Sequence, residues 1–200
     1  NKIDVVEGRG QLSGPGHLSI VLKDGTTQEL VASHIILATG ARARDLPGLE
    51  SDGKLVWSYR EAMIPDILPK SLLVVGSGAI GIEFASFFKE LGSDVTVVEV
   101  LDRVLPVEDI EISALAQKSF EKQGMTIHTG ATVSALKKGK GTVTATVNLG
   151  THGEKDFKFD RVIMAVGITG NVENLGLEEA GVQVDRGHVV INQWCETSAS

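Results

Sequence analysis

Cysteine is nearly absent from this chain of 200 residues: Cys195 is the only one. One thiol excludes an internal disulfide and any cysteine-based metal cluster. The five histidines, His17, His34, His128, His152 and His188, show no ligand spacing, so no metal site is expected. Positive charge is also short: 19 Lys and Arg face 26 Asp and Glu, a net charge of −7. With no basic patch interleaved with aromatics, a nucleic-acid partner is not expected. Long apolar runs are missing, and the opening residues do not read as a signal peptide, so no membrane partner is expected either. What remains is 42% hydrophobic, enough for a packed core. A soluble, cytoplasmic α/β protein of one large domain, or one and a half, is the expectation.

The most informative stretch runs from Ser71 to Glu99. Leu72 to Val75 is a short apolar run, as in a strand buried on both faces. Gly76-Ser77-Gly78-Ala79-Ile80-Gly81, a G-x-G-x-x-G, follows directly. A helix comes next, with Ile80, Phe84, Phe87, Phe88 and Leu91 at helical spacing, and Gly92 ends it. Asp94 to Val98 is a second buried strand, closed by Glu99. Each glycine has a separate use: Gly76 for the tight turn, Gly78 so that a pyrophosphate can approach the backbone, Gly81 for close helix–strand packing. Unpaired N–H groups of the first helical turn and the helix dipole favour an anion there. Glu99, eighteen residues beyond Gly81, is placed to accept from ribose hydroxyls. Gly-rich turns alone are common. A strand before, a helix after and an acid at this distance make a dinucleotide site. Arg103 could suggest a 2′-phosphate, but Glu99 would repel it, so NAD is favoured over NADP.

The flanking sequence divides into strands and turns. Ile3 to Glu7 reads as a strand broken by Gly8-Arg9-Gly10. His17 to Lys23 and Thr27 to Val31 read as a hairpin about Asp24-Gly25. Ser33 to Ala38 reads as a buried strand ending at Thr39-Gly40. Asp45 to Pro69 holds three of the five prolines and reads as a connection, with a short helix near Ser58 to Met63. Asp109 to Gln123 is an amphipathic helix with Ile112, Leu115, Ala116 and Phe120 on one face. Strands are expected at Met125 to Thr129, Val133 to Lys137, Gly141 to Leu149, Phe157 to Phe159, Asp160 to Val166 and His188 to Ile191.

Residues 3–40 and 125–167 echo each other as strand, glycine break, hairpin, buried strand, glycine. Ala32 to Gly40 lines up with Phe159 to Gly167. A nucleotide-binding βαβ unit precedes the second copy and not the first. Two similar meanders could arise by chance. The reading adopted is a chain that begins inside an earlier dinucleotide module.

The matching residues are Ala38–Gly40 (ATG), Gly76–Gly92, Val95–Glu99 (VTVVE), Arg103–Ser113 (RVLPVEDIEIS) and Met164–Val182. On these the chain resembles the two-dinucleotide flavoprotein disulfide reductases, most closely the dihydrolipoamide dehydrogenases. The resemblance implies a Rossmann-like FAD/NAD(P)-binding three-layer α/β fold with a β-meander, plus a partial second copy. It implies the rear of an FAD domain at 1–45, a connection at 46–69, an NAD domain at 70–185 and a return to the FAD domain at 186–200. For NAD it assigns Gly76, Ser77, Gly78, Ala79, Ile80 and Gly81 to the pyrophosphate and Glu83 to the nicotinamide carboxamide and flavin edge. It gives Glu99 the ribose, Val133 the adenine, and Gly167 a backbone contact near the nicotinamide ribose. For FAD it assigns Gly10, Thr39, Gly40 and Ala41. Ile168 and Thr169 stand where many relatives carry Arg.

The family's redox cysteine pair and its His–Glu acid/base pair are absent, so no catalytic residue is expected in this chain. A parent protein would pass electrons from dihydrolipoamide, borne on an acyltransferase of 2-oxo acid dehydrogenase complexes, through a disulfide and FAD to NAD, and would be a homodimer. Two alternatives stay open: another reductase of mercuric or glutathione type, and a non-enzymatic NAD-binding module.

Overall fold

In the computed structural model, residues 2–199 are described. In chain order the elements are β1 (Gly8–Gly14), β2 (His17–Leu22), β3 (Thr27–Val31), β4 (Ala41–Ala43), β5 (Val56–Trp57), α1 (Tyr59–Met63), β6 (Ser71–Val75) and α2 (Ala79–Glu90). There follow β7 (Asp94–Val98), α3 (Ile110–Lys122), β8 (Thr126–His128), β9 (Thr132–Lys138), β10 (Val143–Asn148), β11 (Glu154–Phe159) and β12 (Arg161–Met164). The last strands are β13 (Ile168–Gly170), β14 (Val184–Asp185) and β15 (His188–Val189). Two compact units result. Ala43–Gly167 is one; the residues up to Arg42, together with those from Ile168 onward, are the other.

Unit Ala43–Gly167 is built on a parallel sheet of order β5-β12-β6-β7-β8. Leu72, Leu73 and Val74 of β6 are fully buried, as expected of a strand covered on both faces. Alternate residues serve opposite layers. Leu73, Val75, Val98, Val162 and Met164 pack against Val143, Ala145, Val147 and Phe159 of the antiparallel meander β9-β10-β11. Leu72, Val74, Val95, Val97 and Ile163 pack on the helical side against Trp57, Ala85 and Phe88. The three-layer α/β architecture with a β-meander is therefore present. No helix among the described residues is long and apolar enough to cross a membrane.

Each long helix keeps part of the face the sequence suggests, Phe84 and Phe88 in α2 and Phe120 in α3, and turns most of the rest of that face outward. In α2 the inward residues are Gly81, Ile82, Ala85 and Phe88, while Ile80, Phe87 and Leu91 are about half exposed. Gly81 decides this: it must face the turn after β6, because any Cβ there would come 2.1 Å from the Gly76 carbonyl oxygen. In α3 Ser113 is the buried residue, whereas Ile112 and Leu115 face outward. The Ser113 hydroxyl donates to the Leu105 carbonyl at 3.0 Å, which turns that side of α3 inward.

The unit holding both ends of the chain has an antiparallel sheet β1-β2-β3. Its first strand starts at Gly8, not Ile3, and runs through the expected break: Gly8 pairs with Leu22 and Gly10 with Ile20. Glycine is required at position 8, where a Cβ would lie 2.6 Å from Ile20 Cγ2. Ser33 to Ala38 is not a strand. Ile35 and Leu37 pack against the cluster of Leu12, Leu177 and Val182, while Ile36 is 90% exposed. Its counterpart β12 has parallel neighbours on both sides; Ser33 to Ala38 has none among the described residues.

Residues 168–185, expected with the nucleotide domain, lie in this unit, tied in by the Leu12 N–H donating to the Leu175 carbonyl at 2.8 Å. Residues 46–69, expected as a connection, lie in the other, where β5 pairs with β12 and Trp57 is buried. The short helix is present as α1, with Ser58 and Glu61 forming a capping box.

Asp52 organises the approach to β5. Its Oδ1 accepts from the backbone N–H groups of Lys54, Leu55 and Val56, each at 2.9 Å, and Oδ2 pairs with Lys138 Nζ at 2.9 Å. Partial burial opposes ionisation, but Lys138 and the three N–H donors overcome it and hold the carboxyl well below the usual range. A depressed carboxylate contributes stability that is present above its ordinary pKa and fades as pH falls through the folded value. Asp52→Ala should lower the unfolding free energy by roughly 1–3 kcal/mol at neutral pH, and the gap to the parent chain should close on acidification. Urea titrations at several pH values measure this; an unchanged midpoint at neutral pH would contradict it.

Candidate functional site

The glycine loop sits at the carboxyl edge of the parallel sheet, where β6 turns into α2. Successive crossovers lead from β6 to β7 and β8 on one side, and β12 and β5 lie on the other. That reversal of strand order is where open α/β sheets form a ligand crevice. Gly76 has φ +97°, and a Cβ on it would meet the Ala165 carbonyl oxygen at 2.4 Å. Only glycine satisfies both conditions. Gly81 lies against the Gly76 carbonyl, as described above. Gly78 differs: a Cβ on it would meet nothing within 4 Å. Two glycines are fixed by the protein's own backbone and the third faces open space.

Gly78 is also the N-cap of α2, and it supplies no side-chain cap. The first-turn N–H groups of a twelve-residue helix thus open onto that space, with Ala79 and Ile80 exposed beside them. Orphan donors at the positive end of a helix dipole suit an anion.

Glu99 ends β7 and is 5% exposed. Its Oε2 accepts from both the N–H and the hydroxyl of Ser77, each at 2.7 Å. Its Oε1 accepts from the Leu101 N–H at 2.8 Å. The carboxylate thus anchors the glycine loop, leaving roughly one lone-pair direction on Oε1 for a further donor. The sequence pointed to Glu99 as a ribose acceptor and to Ser77 as a loop residue. The bond between them is not legible in the sequence, because it depends on how the turn closes in space. Ser77 also accepts, through its carbonyl, from the Leu105 N–H at 2.9 Å. Arg103 is engaged within its own loop: Nη2 donates to the Pro106 carbonyl at 3.1 Å and Nη1 to Asp102 at 3.1 Å.

The remaining residues expected to contact NAD are spread more widely. Glu83 is exposed on α2. Gly167 is exposed beyond β12 with φ +102°, and its carbonyl accepts from the Arg44 N–H at 3.0 Å. Val133 pairs with Val147 and packs against the meander core. His128, at the end of β8, is held below the usual imidazole range by burial and by the Lys155 charge.

The residues expected to contact FAD lie in the other unit. Gly10 is exposed within β1. Thr39 Oγ1 donates to the Asn171 carbonyl at 2.8 Å, Asn171 Nδ2 donates back to the Thr39 carbonyl at 3.0 Å, and the Asn171 N–H donates to the Gly40 carbonyl at 3.0 Å. Ala41 opens β4. Beside it, the Arg42 guanidinium makes a two-point pair with Glu173. The roles of Arg42, Asn171 and Glu173 were not legible, because more than 120 residues separate the partners. Cys195 is exposed in a turn with φ +62°, and no cluster of three metal-ligating side chains occurs among the described residues.

A parallel sheet with a G-x-G-x-x-G turn at its switch point defines an α/β protein of the dinucleotide-binding class. The family model described as pyridine nucleotide-disulphide oxidoreductase matches residues 1–200, and the chain belongs to that family of oxidoreductases. The dihydrolipoyl dehydrogenase of Rhizobium etli is 48% identical over 217 residues, covering 100% of this chain and 44% of the relative. That of Zymomonas mobilis is 43% identical, covering 99% and 42%. Among solved structures, LpdA from Mycobacterium tuberculosis superposes with a TM-score of 0.84 at 34% identity, covering 96% of this chain and 43% of that one. The HOCl-induced flavoprotein disulfide reductase RclA of Escherichia coli gives 0.81 at 27%, covering 98% and 44%. The chain thus spans less than half the length of these relatives.

The glycine geometry separates two substitutions of equal size. Gly78→Ala should leave thermal unfolding unchanged, since its methyl meets open space. Gly81→Ala should destabilise the chain by roughly 1–3 kcal/mol, as overpacking does. Equal unfolding midpoints for the two variants would contradict this account of the loop.

Proposed function

We propose that this chain is the NAD-binding portion of a dihydrolipoyl dehydrogenase, together with part of its FAD-binding region. The observation that carries the reading is the uncapped α2 N-terminus opening onto the space beside Gly78, with Glu99 anchored at the end of the next strand. The pyrophosphate of NAD would accept from the N–H groups of Gly78 to Gly81. One remaining lone pair of Glu99 Oε1 would take a ribose hydroxyl, and its charge would reject a 2′-phosphate. Glu83 and Gly167 would border the nicotinamide end, and Val133 the adenine. Gly10, Thr39, Gly40 and Ala41 would contact FAD through backbone and small side chains; the Asn171 bonds to Thr39 and Gly40 keep that segment in shape for it. When bound, FAD and NAD supply the hydride chemistry, and the residues of this chain orient them.

The whole protein would oxidise dihydrolipoamide carried by an acyltransferase of a 2-oxo acid dehydrogenase complex, as a cytoplasmic homodimer. This chain, with one cysteine, has no internal dithiol to exchange and should show no dihydrolipoamide:NAD activity by itself. The likeness to RclA supports a second reading, another flavoprotein disulfide reductase with the same nucleotide site. Calorimetry tests the shared core of both. NADH should bind more tightly than NADPH, and Gly78→Val should abolish NADH binding while the chain stays folded. Equal affinity for the two nucleotides, or normal binding by Gly78→Val, would overturn the assignment.

A further inference from the structure

Four non-glycine residues among those described have positive φ: Leu105, Asn174, Arg186 and Cys195. Of these, Leu105, at φ +47°, is the one with a branched apolar side chain, for which left-handed backbone is disfavoured. Surrounding contacts must therefore hold it. Its carbonyl accepts from the Ser113 hydroxyl at 3.0 Å and from the Glu108 N–H at 2.9 Å, and Val104 before it is fully buried. Its own N–H donates to the Ser77 carbonyl at 2.9 Å. Ser77 in turn donates twice to Glu99. A continuous hydrogen-bonded path thus runs from α3 through Leu105 to the glycine loop. Ser113 is fully buried and occupies the inward face of a helix whose Ile112 and Leu115 point outward. A hydroxyl stands where packing alone would favour an apolar side chain.

We propose that Ser113 is a positioning residue for the phosphate loop. Its hydroxyl keeps Leu105 left-handed, so that the Leu105 N–H meets the Ser77 carbonyl. The loop is then held from both sides, by Glu99 on the Ser77 N–H and hydroxyl and by Leu105 on the Ser77 carbonyl. That double hold aims the first-turn N–H groups of α2 at the open space beside Gly78. Ser113 itself touches no ligand. The proposal rests on the dinucleotide reading given above.

Three variants test it by NADH calorimetry, with thermal unfolding measured in parallel. Ser113→Ala should weaken NADH binding about tenfold, the order expected for one lost hydrogen bond. Leu105→Gly keeps both backbone groups and sets the reference affinity for the double variant. The double variant Leu105→Gly/Ser113→Ala should bind within about threefold of Leu105→Gly and more tightly than Ser113→Ala, because glycine adopts φ +47° at no steric cost. A residue needed only for stability would not be rescued in binding by a glycine elsewhere. If Ser113→Ala does not fold, Ser113→Cys keeps the shape with a weaker donor and should be rescued in the same way. Parent-like NADH affinity in Ser113→Ala, or no recovery in the double variant, overturns the proposal. A parent chain that binds no NADH overturns the dinucleotide reading and this proposal with it.

Discussion

A buried carboxylate held against a glycine turn is the interaction on which this molecule depends most. Glu99 takes two hydrogen bonds from Ser77 and one from the Leu101 N–H. Bonds from neutral donors to an ionised acceptor are the strong ones, and three of them satisfy the charge of a group that burial would otherwise penalise. These bonds tie the ends of β6 and β7 to the start of α2. Gly76, with its N–H on the Val98 carbonyl at 2.8 Å, adds a backbone bond between the same two strand ends.

That junction dictates much of the packing around it. Once Gly81 faces the Gly76 carbonyl, the rotation of α2 is settled, and with it the burial of Ala85 and Phe88 against Trp57, Val95 and Val97. The opposite face of the sheet is covered by the meander, so no strand of the parallel sheet needs to alternate polar and apolar residues. The other unit solves a different problem, gathering residues from both ends of the chain around Leu12, Leu177 and Val182. It secures them with the Arg42–Glu173 pair and the Asn171 bonds to Thr39 and Gly40.

The parallel-sheet unit is legible in the sequence because its signals are local. A continuous apolar run, a glycine motif, a helix stop at Gly92 and a second apolar run lie within thirty residues of one another. Helix faces were less legible. Ile80, Phe87 and Leu91 fit a helical stripe with Phe84 and Phe88 as well as Ile82 and Ala85 do, and the choice between them rests on the Cβ that Gly81 lacks. Ser113 carries no apolar signal, so Ile112 and Leu115 are expected inward where Ser113 stands, while Phe120 packs against the core as expected. Ser33 to Ala38 has the composition of a buried strand, yet strand formation needs a neighbour, and composition does not report one. Glu99 was found for its spacing to Gly81, while its bond to Ser77 depends on how the turn closes in space.

In the proposed nucleotide site, the N–H groups following Ser77, aimed by the Glu99 anchor, are the anion-binding donors. The most direct measurement is an amide-resolved NMR titration of the chain with NADH. The account predicts large shifts for the N–H groups of Gly78, Ala79, Ile80 and Gly81, with the Ser77 N–H remaining protected from exchange throughout because it stays bonded to Glu99. Unmoved amides at 78–81, or a Ser77 amide that exchanges freely with solvent, would contradict it.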